Sequence, residues 1–106
     1  MNQVVLVGKI ADDVTILKIG DYEVATTRIS IQSDYKNSEG KYIISEYPVL
    51  FWDPLKQFAL DYLKKNIFVS IRGHLRVFEY VTEEGERKSI LDIIADKVNF
   101  VTSQAA

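Results

Sequence analysis

Residues 48–66 read PVLFWDPLKQFALDYLKKN, and this stretch predicts a buried strand that passes directly into a helix. The strand half is apolar and ends at Trp52. Asp53 is a good N-cap, and Pro54 suits the first helical position because no N–H is needed there. The following apolar residues have the spacing of one helical face: Leu55, Phe58, Ala59, Tyr62 and Leu63. We therefore expect one helix, ended at Asn66.

Two strands are expected immediately before this helix, and a further strand precedes them. Residues 24–32 alternate between apolar and polar side chains, which is typical of a strand with one wet face, and Arg28 lies on that face. Residues 41–52 form the next strand, in which Pro48 indicates an edge position or a bulge. The side chains expected to face the core are Ala25, Thr27, Ile29 and Ile31 in the first strand and Ile43, Val49 and Phe51 in the second.

The remaining strands complete a recognisable order. Residues 4–10 and 14–19 read as two halves of a first strand, and residues 67–81 and 89–101 read as two strands after the helix. The order is then three strands, one helix and two strands. That order predicts an all-β protein, a small five-stranded barrel of the OB-fold type with its helix between strands 3 and 4.

Composition limits the class of protein. A chain of 106 residues suits a single domain, which we place at residues 1–102, followed by a short polar tail at 103–106. Cysteine is absent, which fits a reducing cytoplasm, and the first residues lack the pattern of a signal peptide. No apolar run reaches the length of a membrane span, so no membrane association is expected.

The charge pattern points to local rather than global attraction of a polyanion. The formal net charge is −2. Residues 54–76, however, contain five basic residues and only one acidic residue, Asp61. Aromatic residues are interleaved with these cations, and together they predict binding of single-stranded nucleic acid, because bases stack on rings while Lys and Arg hold phosphates.

The candidate binding residues fall into two groups. The expected stacking platforms are Tyr35, Trp52, Phe78 and Tyr80, and the expected phosphate contacts are Lys9, Arg28, Lys36, Lys56, Arg72, Arg76 and Lys88. Trp52 has an alternative place in the core, since it ends an apolar strand. We expect Val77 to pack inward with Leu75, which leaves the neighbouring aromatics outward beside Arg76.

Four segments, residues 1–10, 48–65, 69–76 and 93–98, resemble the bacterial single-stranded DNA-binding protein family over nearly the whole chain. The resemblance implies an OB-fold, binding of single-stranded DNA in replication, recombination or repair in the nucleoid, and a homotetramer. It also implies stacking on the aromatic residues at matching positions, which are Tyr35, Trp52 and Tyr80.

The chain also departs from that family's pattern. Glu46 stands where the family usually places another aromatic, and several of its basic positions are Gln3, Leu17, Phe78 and Glu79 here. The family's acidic, Phe-terminated tail, which recruits replication and repair proteins, has no counterpart before Ala106. A truncated chain and a tailless member both remain open.

Other functions remain as alternatives. An OB-fold adaptor of a primosome or another complex, binding protein or RNA, would suit the weak net charge. A small OB-fold nuclease would need acidic metal ligands that converge beside an arginine. Asp92 and Asp96 lie about 13 Å apart along a strand, too far for a two-metal site. His74 has no second His or Cys as a metal partner. We expect no catalytic residues, metal or cofactor.

Overall fold

The computed structural model describes residues 1–101, so residue 102 and the expected tail at 103–106 lie outside the described residues. The described residues form six strands and one helix. In chain order these are β1 (Val4–Ile10), β2 (Thr15–Ile19), β3 (Tyr22–Lys36), β4 (Tyr42–Phe51), α1 (Leu55–Tyr62), β5 (Phe68–Val81) and β6 (Arg87–Phe100).

The strands form one sheet that closes on itself. Their order is β1-β5-β6-β4-β3-β2, and a short β1–β3 pairing joins the barrel at Lys9 with Ser30 and Ile10 with Ile29. All neighbours are antiparallel except β4 and β6. The all-β barrel is confirmed, but the helix lies between β4 and β5 rather than between strands 3 and 4. The two halves of the expected first strand are β1 and β2, and the chain breaks between them after Ile10. β1 pairs mainly with β5, whereas β2 pairs with β3.

The barrel interior is apolar and closed at one side by α1. Its buried side chains come from every long strand and from the helix: Ile10, Ala25, Ile29, Val49, Phe51, Ala59, Leu63, Val69, Ile71 and Ala95. Ile31 packs against this core and Thr27 is buried, which confirms the expected inward face of β3. Burial of this apolar surface is the main stabilising contribution to such a domain.

Three local expectations about β4 and α1 are wrong. The helix ends at Tyr62 rather than at Asn66. Ile43 is exposed rather than in the core, because β4 before Pro48 pairs only with β3 and extends beyond the barrel. Asp53 does not cap the helix: Pro54 occupies the N-cap position, and the Trp52 carbonyl accepts the Leu55 and Lys56 N–H groups instead.

Two glycines allow the strands to approach closely. Gly8 is buried in β1, where a Cβ would overlap the carbonyl of Ser30 on β3. A Cβ at Gly73 in β5 would likewise overlap the carbonyl of Ile94 on β6. Gly73 lies next to a shift in the β5–β6 register. These close approaches allow the sheet to curve into a barrel.

A second apolar cluster lies on the outer face of the sheet. Val24, Leu50 and Ile94 are buried there, each next in sequence to a residue of the inner core. Ile19, Trp52 and Phe78 pack over them. Because adjacent strand residues face opposite sides, this cluster gives the barrel an apolar exterior patch on which further side chains are mounted. Within residues 1–101, no helix has the length and hydropathy needed to cross a membrane.

Candidate nucleic-acid interface

Two aromatic rings contact one arginine on this outer face, and a third ring packs against one of the two. The guanidinium carbon of Arg76 lies 3.8 Å from the ring centre of Phe78 and 5.1 Å from that of Trp52. The ring of Tyr22 lies 5.6 Å from Trp52 at an interplanar angle of 57°. We call Tyr22, Trp52, Arg76 and Phe78 the ring cluster. Cation–π attraction holds such an arrangement together without neutralising the guanidinium.

The strands themselves bring the ring cluster together. Trp52 follows the last residue of β4, Tyr22 begins β3, and Arg76 and Phe78 are two residues apart on β5, so that they share one face. The buried Val24 and Leu50 beneath them keep the rings at the surface. The sheet topology therefore converts residues far apart in sequence into one aromatic surface.

The sequence left open whether Trp52 is a surface stacking platform or part of the core, and the structure shows features of both. Its side chain is partly buried against the outer apolar cluster, while its ring contacts Tyr22 and Arg76. Its indole Nε1 is buried and, among residues 1–101, has no hydrogen-bond acceptor. A base that stacks on Trp52 must therefore share the ring with Tyr22 or displace Arg76.

The hairpin of β5 and β6 carries the aromatic surface outward. Tyr80 is 43% exposed and lies directly opposite Lys88, whose Nζ is 3.9 Å from a carboxylate oxygen of Glu86. Leu75 and Val77 are exposed, so the expectation that they pack inward is wrong. Beyond the barrel, these hairpin strands pair only with each other within residues 1–101, and Phe78 packs against the outer apolar cluster.

The hairpin of β3 and β4 carries a separate aromatic site. Tyr35 is 80% exposed near the end of β3. The next residue, Lys36, places its Nζ 5.4 Å from the ring centre of Tyr42. Tyr35 and Lys36 thus remain available to a ligand, but on a different hairpin from Phe78 and Tyr80.

Arg28 is held between two carboxylates. It donates from Nε and a terminal nitrogen to the two oxygens of Asp12, at 2.6 and 3.0 Å, and from the other terminal nitrogen to Glu46 at 2.9 Å. The hydrogen bond from Arg28 lowers the pKa of Asp12, and the same bond raises the pKa of Arg28. Glu46, at the position where the resembled family places an aromatic, thus pairs with an expected phosphate contact.

The remaining cations lie elsewhere on the barrel. Lys9 and Arg72 share one face of the β1–β5 ladder, where Lys9 is opposite Phe68 and Arg72 is opposite Val5. Lys56 lies in α1 and is partly buried. The sequence-based site residues are therefore distributed over several surfaces: Trp52, Arg76 and Phe78 form one group of contacts, and Tyr80 and Lys88 lie opposite each other on the β5–β6 hairpin.

Sequence reasoning did not single out Tyr22, and it considered Asp92 only as a metal ligand. Tyr22 follows the Gly20–Asp21 turn, and an aromatic directly after a turn is a usable signal for a surface ring. Asp92 lies opposite Arg76 in the β5–β6 ladder. Burial raises the pKa of Asp92, and the charge of Arg76 offsets part of that shift. Among residues 1–101, no three metal-binding side chains lie together as a site.

Comparison with known proteins gives relatives of one kind. The chain is 26% identical to the single-stranded DNA-binding protein of Clostridium tetani over 95% of this chain and 70% of that one. It is also 26% identical to single-stranded DNA-binding protein 1 of Clostridium acetobutylicum, over 98% and 96% of the two chains. The structure of the Plasmodium falciparum SSB complex with ssDNA matches with a TM-score of 0.75 at 20% identity, over 96% of both chains, and it supports the OB-fold barrel.

These relatives do not favour the interpretation as an adaptor for protein or RNA. The model of one family, described as the single-strand binding protein family, matches residues 1–101, which is the whole described chain. Together with the barrel and its outer ring cluster, this match establishes that the chain belongs to the single-strand binding protein family.

Proposed function

We propose that this protein binds single-stranded DNA with little sequence preference and without catalysing a reaction. The observation that carries the proposal is the ring cluster, in which Arg76 contacts the rings of Trp52 and Phe78 and Tyr22 packs against Trp52. Stacking on exposed rings is sequence-tolerant because every base has a π-face. Family membership supports the same ligand.

The surface suggests how a strand is held. Tyr80 and Tyr35 present their rings to solvent, so bases stack on them directly. At the ring cluster a base takes the place of the Arg76 guanidinium on Phe78 or Trp52. The displaced guanidinium then contacts an adjacent phosphate, because its five N–H donors are well suited to binding phosphate oxygens. Lys36 and Lys88 supply further phosphate contacts beside these rings.

The cellular role follows from the ligand. A protein that covers exposed single strands protects them during replication, recombination or repair. Such a protein acts where the DNA is, in the cytoplasmic nucleoid. Contacts with replication or repair proteins would then bring this activity to particular DNA intermediates.

Fluorescence of Trp52 provides the direct test. The chain contains one tryptophan, so titration with oligo(dT) monitors the ring cluster alone. We expect substantial quenching, and an affinity that falls as salt rises because phosphate contacts release counterions. Folded protein whose emission and mobility are unchanged by saturating oligo(dT) would contradict the proposal.

Matched tyrosine variants test the surface. Tyr35→Ala and Tyr80→Ala should each weaken binding by about 1–3 kcal/mol, the usual contribution of one stacked base. Tyr62→Ala is the control, because Tyr62 is equally an exposed tyrosine but lies on α1 beside Phe58. Equal losses in all three variants would show that stacking is not localised to the two hairpins.

We further propose that the protein assembles as a homo-oligomer, a tetramer as the family resemblance implies. Among the apolar residues of the first and last strands, Leu6 packs against the core and Ile94 is buried, whereas Ile90 is exposed. Val5, Val7 and Phe68 are also exposed, and they share one face of the β1–β5 ladder. Apolar surface of this kind suits an isologous contact between copies.

Sedimentation equilibrium tests the assembly. We expect a mass near four times the 12.1 kDa of one chain at micromolar concentration. Val7→Arg should shift the population toward monomer, because it adds a third cation to a contact face that already carries Lys9 and Arg72. A wild-type mass equal to that of one chain would refute the assembly and leave DNA binding to be judged separately.

A further inference from the structure

An open groove of about 400 Å³ lies beside the ring cluster. Its walls are mainly apolar and aromatic, formed by Leu17 and Ile19 of β2 and by Phe78, Tyr80 and Ile90 of the β5–β6 hairpin. This volume falls within the range of small-ligand sites, about 300–1,000 Å³. Phe78 belongs both to the groove and to the ring cluster, so the two surfaces are continuous.

Two carboxylates line this groove: Glu79 is exposed, whereas Asp92 is half-buried. Asp92 lies opposite Arg76 in the β5–β6 ladder, but the Arg76 guanidinium packs on the rings of Phe78 and Trp52. In the described part of the chain, the Asp92 side chain makes no hydrogen bond or ion pair. Burial raises its pKa, which reflects the cost of holding the carboxylate there. Its oxygens are therefore free acceptors beside aromatic walls.

We propose that this groove holds one guanine of the bound strand, with the Watson–Crick edge of the base donating to the Asp92 carboxylate. This inference rests on the proposed binding of single-stranded DNA. It makes the site locally selective, although stacking elsewhere on the surface tolerates any base.

The hydrogen-bond chemistry of the four bases distinguishes guanine. An ionised carboxylate only accepts, and its two oxygens match two adjacent donors. The Watson–Crick edge of guanine presents N1–H beside an N2 amino group. Adenine and cytosine each present one amino group beside an acceptor nitrogen, and thymine presents one N–H between two carbonyls. Single-stranded bases expose this edge to a protein, which duplex bases do not.

The position of the groove also favours a base over other ligands. Phe78 and Tyr80 offer rings to a planar group at the groove wall, and Lys18 lines the same groove with a cation for the attached phosphate. An unpaired carboxylate beside a DNA strand otherwise repels the phosphates. Donors from a base would satisfy Asp92 and remove that penalty.

Four short oligonucleotides test the selectivity. Each is a run of dT with one central residue changed to dG, dA or dC, or left as dT, and affinity is measured by anisotropy of a labelled strand. We expect the dG strand to bind tighter than the dT strand by about 5-fold or more, the lower end of what one bidentate base contact contributes. The dA and dC strands should show smaller gains.

Variants identify the responsible group. Asp92→Ala and Asp92→Asn should each bring the dG strand to the affinity of the dT strand for the same variant. Glu83→Gln removes the same charge from the tip of the hairpin and should keep the preference for dG. Thermal melting of each variant checks that it is folded, and the asparagine variant serves if the alanine variant is unstable.

The outcomes separate the two proposals. Equal binding of all four strands by wild-type protein overturns the guanine groove and leaves binding of single-stranded DNA intact. A preference for dG that persists in both Asp92 variants also overturns it, because another group must then read the base. Failure to bind any of the four strands overturns the proposed function and the groove together.

Discussion

Arg76 and Arg28 both lie on strand faces that turn away from the barrel interior, and their surroundings are opposite. Arg76 lies among aromatic rings, 3.8 Å from the ring centre of Phe78 and 5.1 Å from that of Trp52. Arg28 is bound by Asp12 on two sides and by Glu46 on a third. The first guanidinium keeps its charge available to a ligand, whereas the second is already neutralised by the protein.

The difference lies in the neighbours and not in the arginines. A ring attracts a cation without supplying a counter-charge, so a phosphate gains the full interaction when it arrives. A bidentate carboxylate satisfies the donors that a phosphate would use, and a phosphate must displace it first. Availability of a basic residue therefore depends on which side chains the adjacent strands place beside it.

The largest expected effect comes from removing the ring that Arg76 shares. Trp52→Ala should weaken binding of oligo(dT) by about 1–3 kcal/mol, because a stacking surface is lost. The measurement is anisotropy of a labelled strand, since the variant has no tryptophan. Trp52→Phe is the control, as it retains a ring on the outer apolar cluster. An alanine variant that is folded and binds as wild type would place DNA away from the ring cluster.

The same substitution at the two arginines should have different effects on the salt dependence of DNA binding. Arg76→Gln should weaken binding and reduce the slope of log affinity against log salt by about 0.7, the contribution of one phosphate contact on a single strand. Arg28→Gln should leave that slope unchanged, because Asp12 and Glu46 already neutralise its guanidinium. Equal changes of slope in the two variants would show that the carboxylates do not keep Arg28 from DNA.

The sequence predicted the barrel well because its signals are local. Alternation in β3 records burial residue by residue, and the inward face of Ala25, Thr27 and Ile29 is confirmed. Ile43 has the same apolar character but is exposed, because β4 there extends past the strands that would cover it. Local pattern reports that a side chain is apolar but does not report whether another element reaches it.

The candidate site was less predictable for the same reason. Arg76 and Phe78 are neighbours on one strand, so their spacing indicated a shared face. Tyr22 reaches Trp52 only through the pairing of β3 with β4, and Asp12 reaches Arg28 across 16 residues of sequence. The residue pattern within one β-strand cannot identify partners that lie on another strand. The sequence therefore predicted residue types for the candidate site, but it did not predict which of these residues lie together.

Releasing one partner of Arg28 should sharpen the comparison, with a smaller effect. Glu46→Gln leaves Asp12 in place but removes one acid from the surface, so affinity for oligo(dT) should rise by roughly two-fold, as expected for an exposed ion pair. The salt slope should steepen by less than about 0.7. Glu39→Gln, at the exposed turn between β3 and β4, is the control for charge alone. The same gain in both variants would mean that net charge, and not the release of Arg28, strengthens binding.

The smallest expected effect concerns the stability of the region around Arg76. Burial raises the pKa of Asp92 in the folded protein, so ionisation of this carboxylate is less favourable folded than unfolded. The resulting contribution to stability is fully present below the ordinary pKa of about 3.9 and is lost as pH rises through the raised value. Because the carboxylate is partly exposed, water screens much of this cost.

Asp92→Asn should therefore raise the midpoint of thermal unfolding at pH 7, by less than about 4 °C for a domain of this size. The difference should shrink toward zero near pH 3, where Asp92 is protonated in the folded and unfolded states alike. Asp12→Asn should behave oppositely: it loses the ion pair with Arg28 and lowers the midpoint at pH 7, because the pKa of Asp12 is depressed in the folded protein. If both variants melted alike at both pH values, these two carboxylates would not differ in the electrostatic environment that distinguishes Arg76 from Arg28.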